Sequence, residues 1–271
     1  MISRILKKKA ANSVDTEVEM GFLDHLEELR WSLIKGFGGI LACTAVASVF
    51  RRWIIQNVVL APKNPDFISY RIFGVETTPF VIQNRTITGQ FFTDWGTALV
   101  VGAIVGSPLF IYQMWRFIEP GLYSNEKQGL RFSAVFATFF FILGISFGYF
   151  VITPLALQFF AAYQISPEIQ NEFDITKYFE MITFWSFGTG LLFQLPVVVY
   201  FLAKLGIATP QALRVARKYA LLVALILSAF FTPPDPVSQI LVAMPLMLLY
   251  EMSIWIAVVV EKRRKKALQA A

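Results

Sequence analysis

Long apolar runs constrain this chain more than any other feature of its sequence. A hydrocarbon core of about 30 Å needs about 20 apolar helical residues to cross it. These runs are unbroken, unlike the alternating segments of a membrane barrel, and lipid cannot hydrogen-bond an exposed backbone. The sequence therefore predicts an all-α, polytopic integral membrane protein with six transmembrane helices in a single membrane domain, residues 1–271. The predicted spans are about 32–50, 95–115, 132–158, 179–203, 217–231 and 237–260.

Composition excludes a water-soluble protein. Hydrophobic residues make up 56% of the chain and charged residues 15%, whereas soluble domains average about 45–50% and about 25%. The opening stretch MISRILKKKAANSVDTEVEM has a basic cluster but no apolar core behind it, so we expect no cleavable signal peptide and assign targeting to the first span. Cys43 is alone in an apolar run, which favours a packed hydrophobic role.

The distribution of basic residues predicts the orientation. Lys and Arg are retained on the cytoplasmic side of membrane proteins. The two tails, the second loop and the fourth loop hold 17 of the 24 in this chain. Both termini are therefore expected in the cytoplasm, and the first loop, about 51–94, becomes a folded outer cap with a β-like stretch near TTPFVIQNRTITG. The 17 are Arg4, Lys7, Lys8, Lys9, Arg30, Arg116, Lys127, Arg131, Lys204, Arg214, Arg217, Lys218, Lys262, Arg263, Arg264, Lys265 and Lys266.

The fifth span is too short for an ordinary bilayer. From Tyr219 to Phe231 it offers about 20 Å of helix before the prolines of TPPDP force a turn. Either the basic residues before it snorkel, or the membrane thins locally.

The sequence has few of the residues and motifs that catalysis requires. The chain has one histidine, His25, and lacks a phosphate-binding glycine loop, His-Glu-x-x-His and Gly-x-Ser-x-Gly. We expect no enzyme activity, no catalytic residues, no metal, no cofactor and no nucleic-acid partner. His25 is interpreted as a polar contact at a helix entry.

Two polar residues lie within predicted spans. Glu251, near the middle of the sixth, must be protonated, paired or facing a wet cavity, so it is a functional candidate against a structural hydrogen bond. Gln194 precedes Pro196, whose missing amide frees the carbonyl of Leu192. Gln194 either satisfies that break or lines a polar groove.

Two pairs of glycines recur at four-residue spacing. They are Gly102 with Gly106 and Gly144 with Gly148. Such pairs let helices approach closely, either within the chain or at a partner-subunit face.

Four stretches carry a family resemblance, in order along most of the chain. They are FLDHLEELRWSL before the first span, SPLFIYQMWRFIEPGLYSNEK across the second span and second loop, FGYFVITPLAL ending the third span, and FTPPDPVSQILVAMPLMLLYE at the last hairpin. Together they resemble TatC, the multispanning receptor of the twin-arginine protein translocase.

The resemblance implies a multi-pass protein of the cell inner (cytoplasmic) membrane, in contact with membrane lipids. It implies binding of twin-arginine signal peptides at the cytoplasmic face and export of folded precursor proteins with the proton-motive force. Single-span TatA- and TatB-type subunits and self-association are the expected partners.

Site residues follow by position in the family motifs. Gln194 stands where several members carry a glutamate, so the resemblance does not extend a titrating or partner-reading role to it, and the long first loop also departs from the family. Asp235 matches the family acid in the last outer loop. The signal-peptide-binding residues implied are Glu28, Arg30, Phe117, Pro120, Leu122, Tyr123 and Glu126.

This interpretation explains why a basic loop contains carboxylates. Each guanidinium of a twin-arginine ligand forms forked hydrogen bonds to a carboxylate, which lysine cannot reproduce. The alternative is that Glu119 and Glu126 are solvated loop acids paired with Arg116 and Lys127; it weighs more for Glu119.

The sequence is also compatible with two other functions. One is a secondary transporter of a small solute or ion with Glu251 as its coupling acid, and the other is a structural scaffold for membrane complexes.

Overall fold

Long helices form a bundle with a small folded cap at one end. The computed structural model describes residues 22–118, 127–166, 168–169, 171–232 and 236–270. The long helices are α1 (Phe22–Ile54), α3 (Gly89–Ile118), α4 (Lys127–Phe147), α6 (Ile175–Leu192), α9 (Arg217–Phe231) and α10 (Pro236–Ala270). The shorter elements are α2 (Ile68–Phe73), β1 (Val81–Gln83), α5 (Thr153–Ala162), β2 (Glu172–Asp174), α7 (Leu195–Lys204) and α8 (Pro210–Val215).

The predicted class, an all-α polytopic membrane protein, is confirmed. Within the described ranges, five helical stretches are long and apolar enough to cross a membrane. The fifth predicted span coincides with α9, which has 15 residues and is shorter than these stretches. The five are Leu26–Phe73, Gly89–Phe117, Ser133–Ala162, Ile175–Lys204 and Ser238–Lys265.

Both glycine pairs are used for packing inside the chain. A Cβ at Gly102 would overlap the backbone of Thr44, and one at Gly106 would lie 2.9 Å from the Cα of Ile40, so α3 and α1 touch backbone to backbone. In the same way α4 meets α6, because a Cβ at Gly144 would lie 2.6 Å from the carbonyl oxygen of Thr189. Close contacts of this kind replace the hydrophobic driving force that is missing between helices in lipid.

A proline inside α3 is accommodated locally. Pro108 has no amide hydrogen for the carbonyl of Ile104, four residues earlier. The hydroxyl of Ser107 donates to that carbonyl at 2.7 Å, so the helix continues through the proline with the oxygen satisfied.

The cap is held to the bundle by buried tyrosines and a small sheet. The hydroxyl of Tyr178 on α6 donates to the carbonyl of Val59 at 2.9 Å, and the hydroxyl of Tyr70 on α2 donates to the carbonyl of Pro62 at 2.6 Å. Strand β1, within the stretch predicted as β-like, pairs in parallel with β2 from the loop before α6. The segment before α3 and the segment before α6 therefore form one folded layer, here called the cap end.

Asp174 joins this layer to α6. Its side chain accepts from the amides of Thr176 and Lys177 as the N-cap of α6, and from the amide of Arg85 at 2.9 Å. The hydrogen bond from Arg85, followed by those from Thr176 and Lys177, holds the pKa of the Asp174 carboxyl below its ordinary value.

The opposite end of the bundle carries exposed basic side chains, among them Arg30 on α1, Arg116 on α3 and Lys262 on α10. We call it the basic end. Trp115 on α3 lies in one buried cluster with Ala134 and Ala137 of α4 and Val197 of α7, so these helices are packed together near that end.

Candidate functional site

The residues implied as the signal-peptide site fall partly within the described structure. Glu28 and Arg30 lie on α1, and Phe117 lies in the last turn of α3. Pro120, Leu122, Tyr123 and Glu126 lie outside the described residues, as do Glu119 and Asp235.

The packing of α1 against α3 brings Glu28 and Phe117 to the same level. A Cβ at Gly36 would lie 2.8 Å from the ring of Phe110, and Gly106 lies against Ile40. These contacts define an antiparallel register. Each residue toward the N-terminus of α1 corresponds to one residue toward the C-terminus of α3. Continued for two more turns, the register places Glu28 beside the last turn of α3 at the basic end.

Glu28 has an unusual environment for a carboxylate. The residue is half-buried, and its Oε2 atom is buried without a hydrogen-bond partner in the described part of the chain. An unsatisfied buried acceptor costs about 1–3 kcal/mol, and more when it is charged. Among the described residues nothing donates to this oxygen, so a donor that reaches it would stabilise it.

The neighbouring acid is different. Glu27 is exposed and accepts from the guanidinium of Arg30 at 3.2 Å, with both side chains 62% exposed. The Arg30 guanidinium also lies 5.7 Å from the ring centre of Trp31. Arg30 thus has Glu27 as its ion-pair partner, in a solvated pair that does not include Glu28.

Phe117 is positioned by its neighbour on α3. Trp115 is 7% exposed and packs edge-to-face against Phe201 of α7, with 6.4 Å between ring centres. Because Trp115 fixes the last turns of α3, Phe117 is held half-buried and Arg116 stays exposed. The sequence analysis did not single out Trp115. The feature that could have revealed it is an aromatic side chain two positions before Phe117.

Gln194 occupies the break between α6 and α7. Its side-chain Nε2 donates to the carbonyl of Ala137 on α4 at 3.1 Å. Its backbone carbonyl accepts from the amides of Val197 and Val198. The expectation that its side chain satisfies the carbonyl of Leu192, which Pro196 leaves without a donor, is not what the structure shows. The amide instead ties the helix break to the neighbouring helix.

Glu251 has a partner. Its Oε2 accepts from the guanidinium of Arg217 at 2.7 Å, and the two side chains are 45% and 50% exposed. Among the alternatives for a carboxyl within the span, the structure shows pairing. The sequence marks Arg217 only as a topological cation, so its role as the partner was missed.

The chemistry that these groups provide is recognition. No cluster of His, Cys, Asp and Glu that could hold a metal ion occurs among the described residues. At one level of the basic end lie an aromatic ring and a carboxylate whose Oε2 has no partner in the described part of the chain, and these suit a cationic ligand with an apolar portion.

Known proteins match nearly the whole chain. Residues 24–245 match the family described as Sec-independent protein translocase protein (TatC). TatC of Blattabacterium sp. subsp. Periplaneta americana (strain BPLAN) is 35% identical over 260 residues, which cover 91% of this chain and 98% of that protein. TatC of Halalkalibacterium halodurans is 41% identical over 241 residues, covering 89% and 90%. The solved structure described as Crystal Structure of Twin Arginine Translocase Receptor- TatC has a TM-score of 0.69 and 32% identity, covering 88% of this chain and 99% of that one.

Proposed function

Because the chain belongs to the TatC family of Sec-independent protein translocase proteins, we propose that it is the receptor and core subunit of a twin-arginine translocase. It binds the twin-arginine signal peptides of folded precursors at its basic end. With TatA- and TatB-type single-span subunits it exports those precursors by means of the proton-motive force.

The observation that carries this proposal is the Oε2 of Glu28, which is buried and has no partner within the residues that the structure describes. A guanidinium of the signal peptide supplies the missing donors, in a forked geometry that two carboxylate oxygens accept. Lysine offers a point charge without that fork, so the site discriminates between the two cations. Phe117, level with Glu28, packs against the apolar part of the peptide or stacks on a guanidinium.

The loop after α3 supplies the rest of the site. Residues 119–126 connect Ile118, at the end of α3, to Lys127, at the start of α4. Trp115, packed with Ala134 and Ala137, holds these two helices together at the end where Glu28 lies. We propose that Glu126 provides a second carboxylate and that Pro120, Leu122 and Tyr123 shape the loop around the peptide.

Orientation follows from the same arrangement. The basic end faces the cytoplasm of a cell whose inner membrane the protein spans, with both termini on that side, because cations are retained there. Cysteine labelling tests this placement. Substitutions in residues 232–236 should react with a reagent supplied from outside, and substitutions in either tail only after the membrane is opened; the reverse pattern would contradict the orientation.

A small-solute carrier is not favoured. That alternative assigned coupling to Glu251 as an intramembrane acid, whereas Glu251 is engaged in a 2.7 Å pair with Arg217. The family match also points to protein translocation.

The functional proposal is tested by reconstitution. Vesicles that contain this chain, TatA- and TatB-type subunits and an imposed proton gradient should import a folded reporter with an Arg-Arg signal peptide. Import should be lost when the reporter carries Lys-Lys, when the gradient is collapsed, or when the single-span subunits are left out. Import by vesicles that contain only the single-span subunits would refute a receptor role.

A further inference from the structure

The last helical hairpin, α9 and α10, has charged residues only a short length of helix away from the cap end. Helix α9 has 15 residues, and Glu251 lies 15 residues after the start of α10 at Pro236. Both paths correspond to about 22 Å at 1.5 Å per residue. The hydrocarbon core is about 30 Å thick, so the ion pair of Arg217 and Glu251 lies at a depth that lipid tails ordinarily occupy.

Neighbouring contacts show how far this pair is set back from the basic end. Phe193 clusters with Leu249, and farther along Val199 and Ala203 cluster with Ala257. Helices α7 and α10 therefore run side by side in the same direction, with Glu251 level with the start of α7. The nine residues from there to Lys204 add about 14 Å of helix.

Cations collect around the set-back pair and face outward. Arg217 is half-exposed, and Arg214 and Lys218 on either side of it are exposed. The ammonium of Lys218 lies 5.0 Å from the ring centre of Tyr219. We call Arg214, Arg217 and Lys218 the recessed cation site; Glu251 is the acid that is paired with it.

The corner that carries this site is fixed. The hydroxyl of Tyr250 on α10 donates to the carbonyl of Leu213 on α8 at 2.8 Å, next to Arg214. The backbone of α8 that precedes the three cations is thus tied to α10.

The surface next to the site is apolar and continuous. Counting four residues at a time from Lys218 along α9 gives Leu222, Ile226 and Phe230, which are 56%, 60% and 73% exposed. These side chains lie on one face of the helix. The row that they form runs along α9, in the direction that an acyl chain takes when its headgroup is at the cation site.

We propose that the recessed cation site binds the phosphate of an anionic phospholipid, whose headgroup is drawn below the level of its neighbours and whose acyl chain follows the apolar face of α9. Guanidinium groups bind phosphate oxygens in forked pairs, whereas lipid tails offer these cations no acceptor. The set of three cations and one acid carries a surplus of positive charge, which favours an anionic lipid.

Glu251 sets the strength of this binding. Its carboxylate competes with the phosphate for the guanidinium of Arg217. Removal of the acid therefore strengthens lipid retention, whereas removal of a merely structural ion pair would only weaken the protein.

The experiment is lipid retention by the full-length protein, measured by native mass spectrometry after delipidation in detergent and addition of phosphatidylglycerol or phosphatidylcholine. The site variant is Arg214→Gln, Arg217→Gln and Lys218→Gln together. Its matched control, Lys262→Gln, Arg263→Gln and Lys265→Gln, removes the same charge from exposed positions on α10. The site variant should retain the tightest phosphatidylglycerol at least about tenfold less than wild type, with the control within about twofold.

Further arms separate lipid binding at this site from loss of the fold and from binding of a protein partner. Glu251→Gln should increase retention, and free glycerol phosphate should not displace the lipid, because it lacks the acyl chain. Thermal unfolding of each variant shows that the fold is intact. Equal loss in the site and control variants, reduced retention in Glu251→Gln, or phosphatidylcholine bound as tightly as phosphatidylglycerol would overturn the proposal. So would a site variant that keeps the lipid but loses a single-span subunit, because the surface would then bind protein.

Discussion

Replacing Glu28 by glutamine is expected to separate ligand binding from stability. In the free protein the Oε2 of Glu28 is buried without a partner among the described residues, and an unsatisfied buried acceptor costs more when it is charged than when it is neutral. Glutamine keeps a polar atom at this position but removes the charge. Glu28→Gln should therefore unfold at the same temperature as the wild type or at a higher one. A residue that stabilises the fold through a salt bridge would show the opposite change.

Binding should change in the other direction. Removing one partner of a partly desolvated Arg–carboxylate pair costs about 2–5 kcal/mol, and 1.4 kcal/mol is tenfold in affinity. We expect Glu28→Gln to weaken binding of an Arg-Arg signal peptide by at least about tenfold. The preference for Arg-Arg over a Lys-Lys peptide should shrink, because the forked acceptor is lost.

Glu27→Gln is the matched control. Glu27 is adjacent in sequence, but its pair with Arg30 has both side chains 62% exposed, and such pairs contribute about 0–1 kcal/mol. Its peptide affinity should stay within about fivefold of wild type, the change that 1 kcal/mol allows. Fluorescence anisotropy of a labelled peptide with the detergent-solubilised protein measures wild type and both variants.

Two results would refute this reasoning. One is equal peptide affinity for wild type and Glu28→Gln when both are folded. The other is a large loss of thermal stability in Glu28→Gln, which would show that its carboxylate already has a partner.

Further substitutions test other parts of the structure. Glu126→Ala should weaken the same peptide by at least about tenfold if it supplies the second carboxylate; unchanged anisotropy would remove it from the site. Gly148→Leu should destabilise the protein by about 1–3 kcal/mol or more in thermal unfolding, because its Cβ would overlap the Trp185 carbonyl. Gly38→Leu, where a Cβ meets nothing within 4 Å, should not. The lowered pKa of Asp174 means that its cap is present above the ordinary carboxyl pKa and is lost as pH falls through the lowered value. An acid-induced loss of amide protection at the cap end should therefore be smaller in Asp174→Asn, and an identical acid transition in the variant would contradict this assignment.

Sequence alone determined the spans and the family. Lipid cannot satisfy a backbone amide, so each apolar run had to be helical whatever surrounded it. The shortness of α9 followed in the same way, since the prolines after Phe231 end the helix locally. The signal-peptide residues came only from their place in motifs that resemble TatC, because no local rule marks a carboxylate as a ligand.

Tertiary structure decided which side chains meet. Glu27 and Glu28 are adjacent in sequence and have the same side chain, yet Glu27 is solvated and paired, while the Oε2 of Glu28 is buried without a partner among the described residues. The difference arises because consecutive residues point about 100° apart on a helix, and only the packing of α1 against α3 decides which direction is covered. Glu251 and Arg217, 34 residues apart, form their pair for a related reason. Gln194 and Ala137 are 57 residues apart and meet only where two helices cross. The rotation and register of packed helices arise from the whole interface between them, so local composition could not reveal these partners.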